Sequence, residues 1–274
     1  MKANIFIAIS TLLITLVSDL SLALSQNEAG TEPASFAATE SIAFSKEVER
    51  LMANSGARLF IVARKGRPNR ELPRGIEYTH TGFGVYSSIA LDDGSVVPGY
   101  AMYNLYQRED SIDRSSLVVD FPADFFAPVY ALEAAIIVPN RKLQQRLLEV
   151  IHSDVYGQLH NPRYSAIANP FNSRYQNCTE HMLDVINAAI YGTDDRKELK
   201  QVARAHFDAQ RVNVNPLTLM LGGLFQQDVA LSDHKGEIAT STFGAIARYL
   251  KKYAMVESAF RVRWKNGEVE VEPI

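Results

Sequence analysis

Two runs rich in β-forming residues, Tyr78-Thr79-His80-Thr81-Gly82-Phe83-Gly84-Val85-Tyr86 and Tyr100-Ala101-Met102-Tyr103-Asn104-Leu105-Tyr106, flank an Asp92-Asp93-Gly94 turn. An Asp-Gly turn between such runs signals a β-hairpin, so antiparallel sheet is the first expectation for this chain. Leu59–Ala63, Leu117–Phe121 and Ala134–Val138 read as further strands. Phe260–Trp264 and Glu268–Val271 read as a second hairpin about Asn266-Gly267, with opposite charges facing. Between the strands lie segments with helical spacing: Phe44–Met52 ending at Gly56, Leu143–Ile151, and a run from Cys178 to Tyr191. The mix predicts an α+β fold with an antiparallel sheet at its centre.

The N-terminus predicts export. Lys2 is followed by an apolar run from Ile5 to about Val17 and by Ala23-Leu24-Ser25, the order of a secretory signal. The run is short of the ~20 residues a membrane-spanning helix needs, which favours a cleaved signal over an anchor. The expected division is a signal peptide over 1–25, a flexible leader over 26–43 rich in Ala, Glu, Ser and Thr, and one domain over 44–274. The expected location is the periplasm, with no stable membrane span once the signal is removed. Net charge is −3 and the cations are scattered, which speaks against a nucleic-acid partner.

An exported chain usually carries paired cysteines or none, and this one has a single cysteine, Cys178. It is open to three roles: a buried inert thiol, an intermolecular bridge, or a nucleophile. Its surroundings suggest the last. Asn177 is a good N-cap, Glu180 makes a capping-box-like pair with it, and Met182, Val185, Ile186, Ala189 and Ile190 recur at helical spacing until Gly192. Cys178 then opens a helix, where unpaired backbone N–H groups and the dipole favour a thiolate and can hold an oxyanion.

A thiolate nucleophile needs a base oriented by a third group. Of six histidines, His80 lies in a strand on the same face as Gly82 and Gly84, opposite Thr81, Phe83 and Val85. Asn104, on the partner strand, is placed to accept from its ring and fix the tautomer. The alternative reading is a satisfied strand histidine beside a structural asparagine.

The pattern His-x-Gly-x-x-x-Tyr at His80–Tyr86, followed much later by Asn177-Cys178-x-x-His181, resembles the circularly permuted papain-like superfamily. That group contains permuted NlpC-type peptidases and relatives of lecithin-retinol acyltransferase. The wider chain resembles a bacterial family catalogued as domain of unknown function 2145. The resemblance rests on Gly56-Ala57-Arg58, Tyr78–Phe83, Pro98–Gln107, Asp124-Phe125-Phe126, Leu159–Pro162 and Gln176–His181. It implies a permuted papain-like core whose sheet packs against the Cys178 helix, with Cys178 as nucleophile and His80 as base. Asn104 is the matching third member and Gln107 the fallback. Tyr175, Gln176 and Asn177 are oxyanion or substrate candidates, and His181, one turn after Cys178, is a rival base or a structural residue.

The function so implied is a thiol hydrolase or acyltransferase that cleaves an amide or ester bond in a peptide, lipid or cell-wall component through an acyl-Cys178 intermediate. The alternative is a non-catalytic binding or scaffolding protein with the same fold. A redox role lacks a second cysteine to resolve a disulfide. No HExxH, CxxC pair or glycine-rich phosphate loop occurs, so neither a metal nor another cofactor is expected. His152, His160 and the Asp233-His234 pair each read as turn or surface residues.

Overall fold

The structure, a computed structural model, describes residues 36–91, 93–212 and 229–274. The signal peptide expected over 1–25, most of the leader, and Asp92 of the hairpin turn lie outside these residues. In chain order the helices are α1 (Ala38–Ser55), α2 (Pro122–Phe125), α3 (Arg141–Ile151), α4 (Asp154–Gln158), α5 (Cys178–Tyr191), α6 (Arg196–His206) and α7 (Phe243–Lys252). The strands are β1 (Leu59–Lys65), β2 (His80–Ala90), β3 (Val96–Gln107), β4 (Ser115–Asp120), β5 (Ala131–Pro139), β6 (Gln210–Arg211), β7 (Ala239–Thr240), β8 (Val256–Lys265) and β9 (Glu268–Pro273).

β1 is buried at all but its last residue, as a strand covered on both faces must be. It lies near the middle of a seven-stranded antiparallel sheet of order β4-β3-β2-β1-β5-β8-β9, while β6 and β7 pair separately. Both expected hairpins form: Ala90 faces Val96 across the first, and Lys265 faces Glu268 across the second. In the second, Arg261 faces Glu272 and Arg263 faces Glu270, so the edge strand β9 carries matched charge along an exposed border.

Alternation along the strands separates two cores. Leu59, Ile61, Ala63, Phe83, Val85, Ala135 and Ile137 point to one face, where α3, α5, α6 and α7 cover them with Leu147, Met182, Ile186, Leu199 and Ile246. Phe60, Val62, Tyr100, Met102, Ala134 and Ile136 point to the other, beneath Phe44, Val48 and Met52 of α1 and the Phe125-Phe126 turn. The result is a helix–sheet–helix sandwich, α+β as the pattern predicts. Truncating a filler such as Phe44 to Ala would cost about 3–5 kcal/mol.

α1 begins at Ala38, inside the stretch read as leader, and Phe36 already packs against its core. Ser41 and Phe44 on its buried face explain why the helix starts so early. Among the described residues, no helix is long and apolar enough to cross a membrane.

Candidate functional site

α5 starts as its sequence dictates. Asn177 is extended, its Oδ1 accepts from the Glu180 N–H and the Thr179 hydroxyl at 2.9 Å each, and Gly192 closes the helix at φ 70°. Twelve of the fourteen residues from Cys178 to Ala189 and on to Tyr191 are buried, because α5 lies across the sheet against β2 and β3. Cys178 is the first helical residue, 6 % exposed, among Ile76, Leu105, Tyr164, Ile167 and Val212. Burial pushes its thiol up. The N–H groups of Thr81 and Thr179 and the charge of Arg64 pull the other way without prevailing. The Thr81 hydroxyl also draws the thiol down, yet it completes no hydrogen bond of normal geometry.

The β2 neighbour of Cys178 is therefore Thr81. It shares a face with Ala63, its partner across β1, and with Phe83, on the α5 side of the sheet. His80 pairs with Arg64 and points to the opposite side. There its ring lies 4.5 Å from that of Tyr106, nearly parallel, and 5.4 Å from Phe125. Its Nε2 meets Asn104 Oδ1 at 3.2 Å, and the amide of Asn104 donates onward to Asp120 Oδ1 at 2.7 Å. The Tyr106 hydroxyl donates to the other Asp120 oxygen at 3.0 Å. Gly82 makes this possible: a Cβ there would stand 2.4 Å from Asn104 Oδ1.

The structure thus brings His80 and Asn104 together, as expected, and does not bring His80 to Cys178. His80 Nδ1 is buried without a hydrogen-bond partner among the described residues. Burial, then the Arg64 charge, hold the imidazole well below its ordinary pKa, so it is neutral. Asp120 is pushed up to about 7 by burial, against the Tyr106 hydroxyl and Arg64. This is a sealed polar box of one buried cation, one imidazole and one carboxyl, roofed by aromatic rings.

The remaining candidates are mostly consumed by local structure. Gln176 holds Leu159 O and Asp184 through its amide and accepts from the Asn161 N–H at 2.7 Å. The Asn177 amide donates to Ala166 O and the Thr240 hydroxyl. Tyr175 lies under Arg163, which donates to its hydroxyl at 3.0 Å. Gln107 points to the α5 side and donates to Ile112 O at 2.7 Å, so it does not reach His80. His181 is buried against Tyr156, with both ring nitrogens unpartnered among the described residues, and burial followed by His160 brings it down to about 3. His160 meets Ser115 Oγ at 3.0 Å, and His234 donates to Ile167 O.

Glu180 departs from its expected capping role. The backbone cap is real, but the carboxylate turns inward to Lys200 of α6, which also holds both oxygens of Asp184 at 2.7 and 2.8 Å. Burial and Asp184 favour the protonated form of Glu180, while Lys200 opposes them. Burial pulls Lys200 down, but its two carboxylates more than offset this and keep it charged. The sequence does carry a signal for this: Glu180 and Asp184, one turn apart, are the acidic residues of a helix that is buried along most of its length. Among the described residues no group of three metal-ligating side chains is close enough to hold an ion.

Residues 51–250 match a bacterial family, domain of unknown function 2145, described as an uncharacterized protein conserved in bacteria. The chain belongs to that family. As a DUF2145 protein it carries the matched region from within α1 to the last turn of α7, including β2, β3 and α5; the β8–β9 hairpin follows it. No curated protein and no solved structure matches the chain.

Proposed function

We propose that this DUF2145 protein is an exported binding or scaffolding protein that retains a permuted papain-like order, strand histidine before cysteine helix, without a working Cys–His dyad. One observation carries the reading: Thr81 faces Cys178, while His80 projects from the other side of the same strand into an aromatic box. No side-chain rotation takes a group through a hydrogen-bonded sheet, so the separation is topological. The test is the pH dependence of iodoacetamide alkylation of native protein, in the wild type, His80→Ala and His80→Gln. The expected result is a slow reaction with an apparent pKa at or above the ~8.5 of a free thiol, alike in all three. A plateau well below that value, lost in both variants, would overturn the proposal.

A second reading is a thiol hydrolase or acyltransferase working through an acyl-Cys178 intermediate on an amide or ester. It is favoured by the thiol at the first position of α5, with the Thr81 and Thr179 N–H groups drawing its pKa down, and by His181 one turn along with both ring nitrogens unpartnered. In that scheme His181 takes the thiol proton and returns it to the leaving group. Loss of a low-pH plateau in His181→Ala alone, with His80→Ala reacting like wild type, is the outcome that selects it.

A further inference from the structure

A cleft of about 950 Å³ opens beside the loop that leads into α5, between that loop, the end of α6 and the segment around Asp233. This is the size range of small-molecule sites. Its floor is fixed in advance. Asp233 Oδ2 accepts from the Asn169 N–H at 2.8 Å, and the side-chain amides of Asn169 and Asn172 both donate to Asp233 O. Arg174 donates to Ser232 O at 2.5 Å, which ties the two loops a second time.

The charges lining the cleft do not cancel. Arg211 is paired with Glu237 at 3.0 Å, and Asp208 is taken by Lys252 at 3.5 Å. Asp233 is buried and its Oδ2 is committed to the floor, while its Oδ1 has no hydrogen-bond partner among the described residues. Arg204 and Lys235, which also line the cleft, meet no carboxylate among the described residues. Unpaired positive charge thus collects in one concavity of a chain whose net charge is −3. Phe171 and Phe207 supply the apolar wall.

We infer that this cleft binds a small organic oxyanion, a carboxylate or phosphate attached to an apolar or ring body. Arg174, Arg204 and Lys235 hold the anionic group, and the ring lies against Phe171 and Phe207. Charge-assisted hydrogen bonds from guanidinium give such a site its orientation, and the fixed floor lowers the ordering cost of binding. The inference rests on the binding reading and names a ligand class for it.

Isothermal titration calorimetry of the full chain at low salt, with phenyl phosphate, benzoate and inorganic phosphate as probes, tests it. Saturable binding of phenyl phosphate or benzoate is expected, about tenfold or more tighter than inorganic phosphate, and about tenfold or more weaker in the Arg204→Gln/Lys235→Gln double variant. Lys197→Gln, also on α6 but outside the cleft, should leave binding unchanged. The tighter of the two ring probes tells phosphate from carboxylate. No saturable binding of any probe up to about 10 mM, equal affinity in the double variant, or no preference for the ring probes overturns the inference. Such a failure, beside an unreactive thiol, removes this ligand class alone. A thiolate that depends on His80, beside intact anion binding, removes the non-catalytic reading alone.

Discussion

His80 lies flat on Tyr106, ring centroids 4.5 Å apart and planes 11° from parallel, on the side of β2 away from Cys178. Its role in this geometry is to fill a sealed box and hold Asn104. His80→Ala is expected to cost about 2–4 kcal/mol in urea unfolding, since it empties a packed position and strands the Asn104 carbonyl. Tyr106→Phe should cost less, about 1–2 kcal/mol, because only the hydroxyl bond to Asp120 is lost. Comparable losses in the two variants would contradict the box.

Two buried imidazoles, His80 and His181, and the half-buried His160 predict acid sensitivity. His80 lies well below its ordinary pKa, His160 is lowered to about 4 and His181 to about 3, in each case chiefly by burial. A group with a depressed folded pKa binds fewer protons folded than unfolded. Its contribution is therefore complete above the unfolded value near 6.5 and is lost as pH falls towards the folded value. Asp120, raised to about 7, and Glu180, also raised by burial, have the opposite sign and lose stability as pH rises above about 4. The three imidazoles outnumber the two carboxyls, so unfolding free energy should decline modestly from pH 6.5 to pH 4.5. His181→Phe should flatten that slope by about 1.4 kcal/mol per pH unit. An unchanged slope in this variant would refute the assignment.

Gly82 is expected to tolerate no side chain. Gly82→Ala places a methyl 2.4 Å from Asn104 Oδ1 and 3.3 Å from the Phe125 ring. The His80–Asn104 bond must then open, at a cost of about 1–3 kcal/mol. Gly157→Ala, where a Cβ meets nothing within 4 Å, is the matched control and should be neutral or slightly stabilising. Equal stability of the two variants would show that the β2–β3 face is less tightly packed than described.

The latch between α5 and α6 is expected to respond asymmetrically. Lys200→Met leaves Glu180 and Asp184 buried with no cation beside them and should cost about 3–5 kcal/mol at pH 7.5. Glu180→Gln leaves a one-to-one pair of Lys200 with Asp184 and should be far milder, because the wild type already holds one carboxylate too many. Chemical denaturation of both variants at pH 7.5 decides. Similar losses would mean that the excess carboxylate is compensated elsewhere.

Much of this architecture was legible locally. The Asp-Gly and Asn-Gly turns placed both hairpins, and Asn177 and Gly192 bounded α5 to the residue. Alternation placed His80 and Thr81 on opposite sides of β2, and the proximity of Asn104 to His80 followed from hairpin register. These are short-range facts, decided by backbone dihedrals, capping and a period of two. Which side of the sheet α5 would cover was not among them. β1 and β5 are apolar on both faces, and α1 and α5 each offer an apolar stripe, so the pattern is compatible with either assignment. The tertiary structure chose: α5 covers the face of Thr81, Phe83 and Leu105, α1 takes the other face of the sheet, and Phe125 and Tyr106 enclose His80 there. The same long-range packing turned Glu180 from a cap towards Lys200 and gathered Arg174, Arg204 and Lys235 around one cleft, across separations no local period encodes. Sequence alone determined which residues share a strand face. Only the competition of two helices for the two faces of one sheet decided which of them the cysteine meets.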